Sequence, residues 1–75
     1  MTITVCYFGQ LAERRGLTEE RVTTAATTPA VLFAELNVGG SISSIRAAVN
    51  DEFVPWDHPL DDGDTVALMP PMSGG

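Results

Sequence analysis

Residues 2–8, TITVCYF, alternate in polarity, with Ile3, Val5 and Tyr7 directed to one side and Thr4, Cys6 and Phe8 to the other. That two-residue period predicts a strand. LAERRG then reads as a short helical turn stopped by Gly16, and ERVTT, residues 20–24, as a second strand. Thr28 offers the side-chain oxygen an N-cap needs, and Pro29 follows at the first helical position, where its missing N–H costs nothing. The helix PAVLFAEL sets Leu32 and Leu36 one turn apart beside Phe33, and Gly39 and Gly40 are expected to stop it. IRAAVN predicts a third strand with Ile45, Ala47 and Val49 on one face, and NDE turns it back into the short strand FVP. DHPLDDGD is a turn-rich connection in which Gly63 can take the positive φ that other residues resist. TVALMP is the last strand, with Val66 and Leu68 opposite Ala67 and Met69, and Pro70 and Pro71 end its hydrogen-bonding ladder.

Strands around one sizeable helix predict an α+β fold, a sheet with helices packed on one face. The core face is expected to collect Ile3, Val5, Tyr7, Leu32, Leu36, Val49, Val66 and Leu68. Phe8 and Met69 then fall on the opposite face. They form a protein-binding surface if the first and last strands are neighbours. The pattern alone leaves that adjacency open.

A chain of 75 residues makes one small domain. Such a domain buries roughly 60% of its unfolded surface and has no room for an enclosed substrate cavity. Catalytic work is therefore expected to need a partner. Ten acidic residues against four arginines and no lysine leave a net charge of −6, which repels nucleic acid phosphates and anionic lipid. No apolar run is long enough to span a bilayer, and the opening alternation is not that of a signal peptide. The single cysteine, Cys6, rules out an internal disulfide and fits a reducing cytoplasm. Six of the ten acids lie between Asp51 and Asp64. A solvated set of turns is preferred there over an acidic rim that steers a basic protein.

Other candidate chemistry is weak. His58 has no second histidine or cysteine at ligand spacing and reads as a turn residue in DHPL. DDGD lacks the alternating ligands and closing glutamate of a calcium loop, so no metal is expected. Cys6 with His58 makes a poor nucleophile and base, since Cys6 lies mid-strand with nothing to lower its pKa. Arg14 and Arg15 read as a solvated helix face and are assigned no role.

The last six residues, PPMSGG, raise a separate question, because a compact domain has no use for such a stem. Together, AAVNDEFV, DHPLDDGDTVALMPP and the terminal SGG resemble the small subunit of molybdopterin synthase, the MoaD-like group of ubiquitin-like sulfur carriers. The resemblance is dense over residues 45–75 and is supported by an opening strand ending in Phe8. Between residues 9 and 44 only the helix placement agrees. It implies a ubiquitin-like β-grasp fold: a mixed sheet with one main helix on one face, residues 1–69, and a flexible Gly-Gly tail, residues 70–75. First and last strands would then run side by side and bring Phe8 and Met69 onto one outer face, with Phe53 as a further apolar contact.

The resemblance also implies a chemistry for Gly75. Its carboxylate, unreactive as it stands, would be adenylated by an ATP-using adenylyltransferase related to ubiquitin-activating enzymes. A sulfur donor protein would displace AMP to leave a thiocarboxylate, nucleophilic for the reason a thiolate is. The isolated domain would bind no cofactor. Its tail would enter the large subunit of molybdopterin synthase, where the pterin site is expected, in a heterotetramer built on a large-subunit dimer. Pro70 and Pro71 would stiffen the stem and reduce the entropy lost on docking. Six extended residues would reach about 19 Å at ~3.1 Å each. Met72 is an adaptable apolar anchor, Ser73 a hydrogen-bond donor or a plain linker, and Gly74 and Gly75 can thread a narrow channel. Two alternatives stay open: a sulfur carrier for thiamine or tRNA thiolation, and a ubiquitin-like modifier joined through Gly75 to lysines of other proteins.

Overall fold

A computed structural model describes residues 1–70. Its elements run β1 (Thr2–Tyr7), α1 (Gln10–Arg15), β2 (Glu19–Thr23), α2 (Pro29–Leu36), β3 (Arg46–Val49), β4 (Glu52–Val54) and β5 (Thr65–Met69). The five strands form one sheet in the order β2-β1-β5-β3-β4. β1 and β5 are parallel neighbours at its centre, with Val5 opposite Val66 and Tyr7 opposite Leu68. The other pairs are antiparallel, which makes the sheet mixed. Parallel strands cannot be joined by a tight turn, so the whole chain between them, α2 included, serves as the crossover. This is the α+β, ubiquitin-like β-grasp arrangement.

Burial follows the period of the strands. Ile3, Val5, Tyr7, Val66 and Leu68 are the inward residues of the two central strands, and all are at or near zero exposure. Leu32, Phe33 and Leu36 of α2 pack into the same cluster, with Val49 from β3. Leu11, Val38, Ile45 and Leu60 also join the core from α1 and the connecting segments. Leu60 arrives because its segment is tied to the start of α2: its N–H donates to the Thr27 carbonyl at 2.8 Å, and Ala30 N–H donates to the Trp56 carbonyl at 3.0 Å. Trp56 in turn packs its ring against Phe33, with centroids 5.6 Å apart and planes tilted by 60°. A tilted pair of this kind suits the opposite charges of ring face and ring edge.

Several strand boundaries differ from the sequence reading. β2 covers residues 19–23 where the pattern predicted 20–24, β4 takes Glu52–Val54 where FVP was expected, and β1 ends one residue before Phe8. Arg46–Val49 form the third strand, because Asn50 leaves it with φ 50 and Asp51 follows with φ 73. Two successive positive φ values joining paired strands make the tight hairpin turn whose twist matches that of the strands. α2 keeps its predicted residues, Pro29–Leu36, but is ended ahead of the glycine pair. Asn37 caps it in the left-handed conformation at φ 52, which asparagine tolerates better than most residues. The start of α2 is as the sequence predicts, with Thr28 Oγ1 accepting the Val31 N–H at 3.3 Å.

Candidate functional site

Strand register decides what the outer face of the sheet presents. Cys6 of β1 lies opposite Ala67 of β5, Ala67 opposite Ala48 of β3, and Ala48 opposite Phe53 of β4. One step along the sheet, Phe8 follows Tyr7 and Met69 follows Leu68, themselves paired, so Phe8 and Met69 come side by side on that face. Met69 has Arg46 as its other neighbour. Phe8 is 50% exposed and Phe53 59%, although both are large and apolar. Small side chains between them keep the middle of the face low, leaving an apolar surface with an aromatic ring near each side. It stands beside Pro70, where β5 ends.

The base of the stem is held by a close approach. Gly9 sits at φ 56 and ψ −131, a conformation side chains resist. A Cβ added there would stand 2.9 Å from Pro70 Cγ. Glycine at position 9 thus allows the Pro70 ring to lie against the chain leaving β1. The remaining stem residues expected to act, Pro71, Met72, Ser73, Gly74 and Gly75, lie outside the described residues.

On the core side, a polar cluster anchors α1. Tyr7 donates its hydroxyl to Glu20 Oε2 at 2.6 Å, and Arg15 Nε donates to the same oxygen at 2.6 Å. Arg15 also reaches the Leu36 carbonyl at the end of α2, at 3.3 Å. The bonds from Arg15 and then Tyr7 hold the Glu20 carboxyl below its usual range. Burial first, and the bond to Glu20 second, push the Tyr7 phenol well above its ordinary value. These groups tie β1, β2 and both helices together. Arg15 therefore has a structural place where the sequence reading gave it none.

Cys6 shows no sign of activation: partial burial, and after it the nearby Glu19 carboxylate, push its thiol up. His58 donates its backbone N–H to the Pro55 carbonyl at 3.1 Å, as a turn residue does. In the acidic stretch, Asp62 accepts the Thr2 N–H at 2.6 Å, and Asp64 accepts from the Asp61 N–H at 2.8 Å and from Asn50 Nδ2 at 3.0 Å. Two of those acids, Asp62 and Asp64, thus use their carboxylates to hold the turns. Arg46, Trp56 and Gly9 were not singled out by the sequence reading. For Arg46 the signal was available, since it shares the parity of Ala48 and hence the face of Phe53. No helix among the described residues is long and apolar enough to cross a membrane.

Comparison with known proteins adds to this geometry. Over 31 residues the chain is 58% identical to the molybdopterin synthase sulfur carrier subunit of Escherichia coli K12, a stretch covering 41% of this chain and 38% of that subunit. Its structure is similar to SAMP1 from Haloferax volcanii, with a TM-score of 0.80 and 25% identity over the full length of both chains. It is also similar, with a TM-score of 0.69 and 28% identity over the full length of both, to a chain in the complex of subunits 1 and 2 of the molybdopterin-converting factor from Helicobacter pylori. Residues 5–75 match the ThiS family, which takes in the outer face, the stem and the Gly-Gly end, and the chain belongs to that family.

Proposed function

We propose that this protein is a sulfur carrier and serves as the small subunit of a molybdopterin synthase. The observation that carries this reading is the 58% identity over 31 residues to the Escherichia coli sulfur carrier subunit. The β-grasp sheet supports it by placing the apolar outer face and the stem base at Pro70 next to each other.

In this reading, domain and tail divide the work. The folded part supplies a docking face formed by Phe8, Phe53 and Met69 and has no reactive side chain of its own. The tail, Pro70 to Gly75, carries the reacting group. An activating enzyme joins the Gly75 carboxylate to AMP and releases pyrophosphate. A sulfur donor then replaces AMP, leaving the thiocarboxylate. Docked on the large subunit, the tail delivers this sulfur to cyclic pyranopterin monophosphate, and two deliveries build the molybdopterin dithiolene. The chain has no lysine, so the activated end meets no ε-amine of its own protein. The subunit 1 and 2 complex from Helicobacter pylori favours a large-subunit partner.

Intact-mass measurement tests the reading. After incubation with ATP, the activating enzyme and a sulfur source, one oxygen at Gly75 should be exchanged for sulfur. An unchanged mass with a competent activating enzyme would rule out a sulfur carrier. The likeness to Haloferax volcanii SAMP1 favours a second reading, a protein modifier. Ladders of larger conjugates through Gly75 in cell extract would select it.

A further inference from the structure

The docking face includes a charge that apolar docking alone does not require. Arg46 projects from β3 beside Met69, and its guanidinium carbon lies 4.2 Å from the centroid of the Phe53 ring. Arg46 is exposed, while the three residues that follow it on β3 are buried. Among the described residues the one ion pair joins Arg15 to Glu20, so Arg46 faces no carboxylate there. A guanidinium held over a ring at this distance can still offer N–H donors to a further partner. The pair borders an open groove of about 310 Å³ that extends to Pro55 and Trp56, enough for an incoming side chain.

Covering this face with a purely apolar partner surface would desolvate an unpaired cation, which is costly. A partner surface that is simply basic would meet the −6 chain favourably at long range yet set like charge against Arg46. One arrangement meets both demands. We propose that Arg46 is a specificity residue for the large subunit, whose docking surface carries a carboxylate that pairs with the guanidinium above Phe53. The inference rests on the reading of Phe8, Phe53 and Met69 as the large-subunit contact. The planar fork of arginine suits a two-point bond to carboxylate, so the pair would fix the rotation of the small subunit as well as its affinity.

The test measures binding of the full chain to the large subunit from the same source by titration calorimetry. Wild type, Arg46→Met, Arg46→Glu and Phe8→Asp are compared, with thermal melting as the check on folding. Arg46→Met should weaken binding about tenfold and Arg46→Glu about a hundredfold or more. An acid-to-lysine change on the large subunit should restore binding to Arg46→Glu. If both Arg46 variants bind within about twofold of wild type while Phe8→Asp does not bind, the charge is not read and this inference fails, the docking face standing. If Phe8→Asp also binds like wild type, the docking face itself is wrong and the inference falls with it. Should Arg46→Glu fail to fold, Arg46→Met, which keeps an unbranched side chain against Phe53, decides the matter.

Discussion

Gly9 shows how much one residue can carry. Its positive φ and its contact with Pro70 both depend on the missing Cβ. Gly9→Ala is expected to destabilise the fold by about 1–3 kcal/mol, measured by urea denaturation. Adding Pro70→Ala should recover the part due to the ring clash and leave the backbone strain. Glu20 works through charge. Its folded pKa is lowered by Arg15 and Tyr7, so its contribution is present above the ordinary carboxylate pKa and fades as pH falls through the lowered value. The Tyr7 phenol is raised, so stability should also decline as pH climbs past about 10, where the unfolded chain gives up a proton that the fold retains. Glu20→Gln should accordingly lower the urea midpoint near neutrality, with the gap to wild type closing in acid. Gly9 could not be picked out from the chain alone, because the atom it makes room for lies 61 positions away, at Pro70.

Among the elements, those set by neighbouring residues were the most legible. Thr28, Pro29 and the spacing of Leu32 and Leu36 define α2 with its observed bounds, since a cap and a helical period act within one or two turns. Thr28→Ala should cost about 1 kcal/mol by removing the acceptor for Val31 N–H, read as a lower melting temperature. The residue that caps the end of α2 was less legible. Two glycines outweighed Asn37 in the pattern, yet the chain turned at the first residue able to adopt a left-handed conformation. The segment from Pro55 to Asp64 looked like simple connection. Its Leu60 and Trp56 are instead drawn onto α2 by backbone bonds to Thr27 and Ala30, contacts that no local period announces.

For the whole molecule, the sheet order decides what a partner meets. Phe8→Asp places a charge on the exposed outer face and should weaken large-subunit binding while leaving the melting temperature close to wild type. Full unfolding would instead show that Phe8 supports the core. Deleting Gly75 is expected to abolish sulfur loading with no change in thermal stability, checked by intact mass and melting on the same sample. The acidic stretch, legible as turns, is bonded into them through Asp62 and Asp64, so charge there first serves the fold.

Alternation along β1 and β5 was enough to assign each side chain to the inner or outer surface, because successive residues of an extended chain point in opposite directions whatever surrounds them. The Gly-Gly end and its proline stem were likewise plain in the order of residues. Which outward residues meet was a different matter. Arg46 meets Phe53 across the local β3-β4 hairpin, but Phe8 comes beside Met69 only because β5 inserts between β1 and β3. That choice belongs to the closing of the core beneath α2, a balance of contacts among distant segments that no local stretch of the chain contains.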